Sequence, residues 1–328
     1  MAARGRALVT GAGGFIGSHL AEHLVRRGYA VRALVRYTSR ADLGNLVHLP
    51  ADVRREIELV HGNVEDPVLT ASAGRECATI FHLAALIGIP YSYAAPQQYV
   101  ATNVVGTLNV LEVARAGGPA RVVCVSTSEV YGTARYTPID EDHPLQAQSP
   151  YAASKIGAEK LAQSYGLSFA LPVTVVRPFN TYGPRQSARA VIPAIVSQML
   201  TAEEIRLGSL TPVRDFNFVE DTVTGMIAAA EADVMPGETF NLGSGQGVSI
   251  GEAVERCLRL AGLERRVVFV AERARPERSE VLELIADASR ARARLGWQPK
   301  HTLDEGLRAT IEWVRAHPEL YRPSEYAL

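Results

Sequence analysis

Ala7-Leu8-Val9-Thr10-Gly11-Ala12-Gly13-Gly14-Phe15-Ile16-Gly17 decides the fold. A short apolar run of buried-strand character leads straight into a glycine-rich turn, and the helical stretch Phe15 to Arg27 opens directly after it. The glycine spacing alone also suits an ordinary turn; a strand before it and a helix after it make it a dinucleotide-binding unit. Gly11 permits the tight turn, Gly14 lets the backbone approach a pyrophosphate, and Gly17 lets helix and strand pack closely. The amides at the helix start, at Phe15 and Ile16, are placed to hold the anion.

Outward from this unit, short β-rich runs alternate with helix-length segments: Val31 to Val35, Ile57 to Val60, Ile80 to Leu83, Val122 to Val125 and Val173 to Val176. Such alternation predicts a parallel sheet wound on both faces. Gln97 to Ala116 reads as one helix, with Val100, Val104, Leu108 and Leu111 on one stripe, and Pro150 to Ser164 reads as another. After Pro178 the pattern loosens into Pro- and Gly-punctuated segments. The expected class is therefore α/β: a Rossmann-type doubly wound parallel sheet with a smaller C-terminal substrate lobe. Residues 1–179 with 221–242 are assigned to the sheet domain, and residues 180–220 with 243–328 to the lobe.

Composition narrows the partners. In 328 residues, 34 Lys and Arg against 35 Asp and Glu give a formal net charge of −1, which supplies no general attraction to nucleic acid or an anionic membrane. Anionic ligands then have to be held by local arginines. Cys77, Cys124 and Cys257 fall in or near apolar stretches without metal-ligand spacing, so they are read as buried thiols and no metal is expected. Met1 to Arg6 leads into the first strand with no apolar run of signal-peptide or membrane-span length, and a cytoplasmic protein is expected.

Two further segments carry chemistry. Tyr151 precedes Lys155 by four residues on a helix, which puts both on one face and the ammonium near the phenol and a cofactor ribose. A phenol titrates near pH ~10, so acting as a base at neutral pH requires nearby positive charge. Ser126-Thr127-Ser128-Glu129 follows the strand Val122 to Val125 and so lies at a strand's carboxyl end, where open α/β sheets place their ligands.

The spacing of Gly11, Gly14 and Gly17 with Tyr151 and Lys155 resembles the extended short-chain dehydrogenase/reductase superfamily, whose members modify the sugar of sugar nucleotides. The resemblance runs nearly end to end. It includes His82-Leu83-Ala84-Ala85, Asn103, Arg177 to Arg185, Arg214-Asp215-Phe216, Asn241 to Gly245 and Leu295 to Pro299. Within the superfamily, Ile87 to Tyr93 and Gln186 to Pro193 most resemble the N-acetylglucosamine-nucleotide 4,6-dehydratases of the legionaminic-acid type.

The resemblance implies roles. Thr127 is expected to hydrogen-bond the sugar's C4 oxygen beside Tyr151. A carboxylate at Glu129 resembles the dehydratases, which need a base at C5 and a proton for the departing C6 hydroxyl; a 4-epimerase needs neither. Ser128 stands where the deoxythymidine-diphosphoglucose type carries an aspartate, so the Thr-Ser-Glu order resembles the GDP-mannose type and gives Glu129 both roles. UDP-glucuronate decarboxylases share a similar stretch, so decarboxylation and 4-epimerisation remain alternatives. Asn63, Val64, Leu83, Ala84, Ala85, Asn103 and Pro178 are expected to line the cofactor. Tyr91, Ser92, Asn180, Arg185, Arg189, Val191, Arg214, Asn241 and Arg275 are expected toward the sugar nucleotide, guanidiniums being suited to phosphate oxygens. In this superfamily the two long helices commonly form a homodimer's four-helix bundle, so the resemblance implies a homodimer; core packing against the sheet explains the apolar stripe equally well.

Cofactor choice rests on the loop after the second strand. An acid roughly 20 residues beyond the glycine turn would favour NAD through the ribose 2′-hydroxyl. Here Val35 is followed by Arg36-Tyr37-Thr38-Ser39-Arg40, with no acid before Asp42. Arg36, Ser39 and Arg40 suit a 2′-phosphate and favour NADP over NAD, although a surface loop that merely contains arginines reads the same way.

Overall fold

The central sheet is fully parallel and has seven strands. It is built from β1 (Arg6–Thr10), β2 (Ala30–Val35), β3 (Ile57–His61), β4 (Thr79–His82), β5 (Arg121–Val125), β6 (Val173–Pro178) and the edge strand Thr239–Leu242. Their apolar runs are nearly continuous because helices cover both faces, as in β5, where Val122, Val123 and Cys124 are all buried. The computed structural model describes residues 4–117, 121–271 and 280–321.

The strand order is Thr239–Leu242, β6, β5, β4, β1, β2, β3. From β1 the chain winds outward to β2 and β3, then returns to place β4 on the other side of β1. The switch point of the winding is the β1–β4 seam, where ligands of such sheets bind at the carboxyl ends. Helix α1 (Phe15–Arg26) starts there, with Gly14 as its cap, no side-chain cap and no acid in its first turn. A helix start leaves amides without intrahelical partners, so this one presents a bare positive end.

Two expected helices differ in detail. The second runs over Pro150–Phe169, five residues beyond Ser164, capped by Ser149 at its start and closed by Ala170 at φ 51°. The first is continuous from Pro96 to Ala116 but passes through a π turn at Val100–Val105. The wider turn resets the helical phase, and the expected stripe holds only in its second half: Leu111 is in the core and Leu108 packs against it, but Asn103 and Thr107 take the buried face before them while Val100 is half exposed.

Beyond β6 the chain forms small sheets. Gly247–Ser249 and Glu283–Leu284 flank Val213–Asp215, and Glu204–Leu207 pairs with Arg266–Phe269. Helices Val191–Thr201, Ile250–Ala261 and Leu303–Ala316 pack with them, the last two opening with capping boxes at Ser249 and Thr302. Asp215 sits at the centre, fully buried, accepting from the amides of Ser244, Gly245 and Ala286 and from the Ser244 hydroxyl. All three cysteines are buried and unpaired. Among the described residues, no helix is long and apolar enough to cross a membrane, and no cluster of side chains suits a metal.

His19 of α1 bonds the Pro184 carbonyl at 3.0 Å, joining the sheet domain to the segment after β6, and its burial pushes its pKa down to about 3. Below pH ~6.5 the unfolded chain takes up a proton that native His19 refuses, so stability is lost as pH falls, by about 1.4 kcal/mol per pH unit from this residue. His19→Gln should flatten the fall in unfolding free energy between about pH 6.5 and 5 by that slope. Denaturant titrations at each pH check this; an unchanged slope contradicts it.

Candidate active site

At the switch point the glycine turn lies against the loop after β4. A Cβ on Gly11, whose φ is 70°, would stand 2.8 Å from the Ala84 amide nitrogen, and one on Gly17 would stand 2.2 Å from the Gly11 carbonyl oxygen. Both positions therefore require glycine. Thr10 fastens the seam by accepting from the amides of Leu83 and Ala84, each at 3.1 Å.

That bond fixes the state of His82, a residue to which the sequence assigns no role of its own. The Thr10 hydroxyl already accepts two amides, so its proton points to His82 Nδ1 at 2.8 Å. Nε2 then carries the ring proton and donates to Thr107 at 3.0 Å, and the Thr107 hydroxyl donates to the Asn103 carbonyl at 2.6 Å. Burial pushes the His82 pKa down to about 3, consistent with a neutral ring. From the same π turn, Asn103 grips both backbone groups of Leu86 and donates to Ser154 at 2.9 Å. The expected cofactor positions Leu83, Ala84, Ala85 and Asn103 thus belong to one hydrogen-bonded unit with the glycine turn, and the buried Pro178 ends β6 two strands away.

On the far side of β1, Arg36, Ser39 and Arg40 are exposed after β2. The exposed Asp42 accepts the Gly44 amide on Oδ1 at 2.8 Å, and its own amide donates to Thr38. Asn63 is exposed after β3, whereas the Val64 side chain is buried against Gly106.

Thr127, Ser128, Glu129 and Tyr151 come together at the end of β5. Thr127 caps the one-turn helix Ser128–Tyr131, accepting the Glu129 amide at 3.2 Å, and its hydroxyl is hydrogen-bonded to the Tyr151 phenol. The Tyr151 pKa is raised, first by burial and then by the Glu129 carboxylate, with Thr127 acting in the opposite direction. The free phenol is accordingly protonated at neutral pH. The ring of Tyr99 stands edge-on to Tyr151 at 6.3 Å and that of Tyr91 lies 6.2 Å from Tyr99, which brings the helix Ile89–Ala94 to the site. Tyr91 bonds Gln98, and the buried Ser92 hydroxyl is used on the Ile89 carbonyl.

Lys155 makes a bond that the sequence does not predict. Its Nζ donates to the Val125 carbonyl at 2.6 Å, since a buried ammonium must satisfy its donors and the end of β5 is within reach. Burial pushes its pKa down to about 8. Below it, Glu159 forms a buried ion pair with Arg177 and accepts from Ser126, an arrangement that sequence reasoning missed.

The expected substrate residues divide. Asn180 Oδ1 is buried with no hydrogen-bond partner among the described residues, Arg189 is exposed near Tyr99, and Val191 opens the helix Val191–Thr201. Arg214 is buried against the Val213 carbonyl and Glu280. Arg185 donates from Nη2 to Glu22 of α1 at 2.7 Å with its guanidinium over Trp313, while its Nε and Nη1 are buried with no hydrogen-bond partner among the described residues. One is corrected. Asn241 is fully buried, with its amide committed to Tyr131 and to the Ile139 and Asp287 carbonyls. Arg275 lies outside the described residues.

A family profile described as GDP-mannose 4,6 dehydratase matches residues 8–310. The chain belongs to that family, within the NAD-dependent epimerase/dehydratase proteins. It is 33% identical over 325 residues to a dTDP-glucose 4,6-dehydratase of Streptomyces antibioticus, covering 96% of this chain and 94% of that one. It is also 35% identical over 317 residues to a UDP-glucose 4-epimerase of Mycolicibacterium smegmatis, covering 94% and 98%. Among solved structures, the dTDP-glucose 4,6-dehydratase DesIV of Streptomyces venezuelae, determined with NAD, superposes with a TM-score of 0.86 at 32% identity, covering 98% and 100%. The seven-stranded Rossmann-type fold is that of these family members.

The tightest steric prediction concerns the glycine turn. Gly17→Ala should cost about 1–3 kcal/mol or more, because the Cβ would meet backbone and not a side chain that can swing away. Urea unfolding checks this; a loss well below 1 kcal/mol contradicts the packing described.

Proposed function

We propose that the chain is a 4,6-dehydratase of a nucleotide-linked hexose, with UDP- or GDP-N-acetylglucosamine as substrate and NADP or NAD held at the glycine turn. The observation that carries the reading is Glu129, whose carboxylate stands close enough to the Tyr151 phenol to raise its pKa. An epimerase has no use for a carboxylate there. A dehydratase needs a base for C5 and an acid for the C6 hydroxyl on the same face of the cleft.

The chain's residues fit a dinucleotide. Gly11, Gly14 and Gly17 leave bare backbone at the start of α1, and Arg36, Ser39 and Arg40 are exposed after β2. A nicotinamide held there would supply reversible hydride exchange with the sugar and would not be consumed. Tyr151, held by Thr127, receives the proton of the C4 hydroxyl as its phenolate, the form that the Lys155 ammonium and the positive charge of a bound oxidised nicotinamide would favour over the protonated phenol of the free site. A ketone at C4 acidifies C5. Glu129 removes the C5 proton and passes it to the C6 hydroxyl, which departs as water; the hydrogen taken from C4 returns as hydride to C6, and a solvent proton delivered through Glu129 adds to C5. With Ser128 in place of an acid, one carboxylate serves both steps. The buried, unpartnered Asn180 Oδ1 supports a polar ligand on the lobe side of the cleft.

Incubation with UDP- or GDP-N-acetylglucosamine, read by mass spectrometry, tests the reading: dehydration removes one water, epimerisation leaves the mass unchanged, and decarboxylation of UDP-glucuronate removes carbon dioxide. Glu129→Gln keeps size and hydrogen bonding but removes the base, and should lower dehydration by about 10²–10⁴-fold. A Glu129→Gln enzyme dehydrating at the wild-type rate defeats the assignment.

NADP preference has a separate test. If Arg36 pairs with a 2′-phosphate, Arg36→Ala should weaken NADP binding by about 1.5–3 kcal/mol and spare NAD. Calorimetric titration with each nucleotide decides; equal losses reject that role.

A further inference from the structure

The turn that carries Thr127 and Glu129 is held at both ends by one buried ion pair outside the cleft. At its start, the Ser126 hydroxyl donates to Glu159 Oε2 at 2.8 Å. At its end, the Tyr131 hydroxyl accepts from Arg177 Nη1 at 2.6 Å and donates to Asn241 Oδ1 at 2.7 Å. Between these ends, Arg177 Nε bonds Glu159 Oε2 at 3.0 Å and Nη2 bonds Oε1, making a two-pronged pair, and Arg177 Nη1 also donates to the Glu141 carbonyl. The side chains of Glu159 and Arg177 are 0% and 3% exposed.

Glu159 lies four residues after Lys155 and eight after Tyr151, on the same stripe of the helix Pro150–Phe169. One rigid element therefore carries both the phenol and the anchor for the turn opposite it. Charge-assisted, two-pronged bonds are the most directional that side chains form, and fixing a reacting group to within an ångström governs rate more than binding.

We propose that Glu159, with Arg177, is a positioning residue: it sets the Ser126–Tyr131 turn against the Tyr151 helix, so that Thr127 and Glu129 meet the reacting sugar. This rests on the reaction proposed above for the turn. A purely structural pair would tie β6 to the helix and affect stability, leaving turnover unchanged in whatever enzyme folded.

Glu159→Gln strands the Arg177 guanidinium in the core, so the test uses Ser126→Ala and Tyr131→Phe, which cut the turn's two ends and leave the pair intact. The sugar nucleotide that the wild type dehydrates, chosen from UDP-N-acetylglucosamine, GDP-N-acetylglucosamine and dTDP-glucose, is the probe. Each variant should lower kcat about ten- to a hundredfold with KM within about threefold, and the double variant should lose less than the product of the two. Ser126→Thr, which returns the hydroxyl, should recover most of the rate. Hydrogen exchange of residues 126–132 should quicken in both variants while the helix Pro150–Phe169 stays protected. Wild-type kcat in both variants, or unchanged exchange in the turn, overturns the proposal. Failure of the wild type to dehydrate any of the three defeats the reading of function instead, and the exchange measurement still decides whether the pair holds the turn.

Discussion

The close backbone contact between β1 and β4 is the constraint on which the remaining structure depends. Two adjacent parallel strands lead their chains to opposite sides of the sheet, and the gap between their carboxyl ends is closed by Gly11 lying on Ala84. No side chain fits there. The amides at the start of α1 stay uncovered for the same reason, so the geometry that permits the fold also leaves an anion-binding edge. The Thr10-His82-Thr107-Asn103 chain extends the seam into the π turn, holding the loop after β4 and the Tyr151 helix in a fixed relation to the glycine turn.

Burial sets the chemistry of the neighbouring site. Tyr151 and Lys155 share a helix face, yet desolvation moves them in opposite directions, raising the phenol and lowering the ammonium, because each charged form is penalised. A phenol kept protonated and flanked by a carboxylate makes poor use of Glu129 unless that carboxylate has its own proton to move. The dehydratase reading supplies one at C5. Ser128 stands where the deoxythymidine-diphosphoglucose type carries an aspartate, so in the proposed reaction both proton steps fall to Glu129.

Much of this is legible in the residues. The apolar runs locate the first six strands to within one or two residues, because doubly covered parallel strands need nearly continuous apolar sequence. Thr127, Glu129 and Tyr151 stand out from a strand end and a helix register, both local signals. The features that escape sequence reasoning depend on distant contacts. The π turn shifts the face of Gln97 to Ala116, and the bonds that Asn103 makes from it, to Leu86 and Ser154, span separate segments. Glu159 is visible at the right spacing but reads as a solvated helix charge until Arg177 arrives from β6. Resemblance brings Lys155, Arg185 and Asn241 to the right neighbourhood, and the bonds they form there are decided by whichever acceptor or donor lies nearest in three dimensions.

Running the reaction in heavy water tests the central claim, that Glu129 exchanges the C5 proton during water loss, most directly. The account predicts a 4-keto-6-deoxy product carrying one deuterium at C5, located by NMR, and none at C6. A dehydrated product with ordinary hydrogen at C5, or a product that has lost no water, would contradict it.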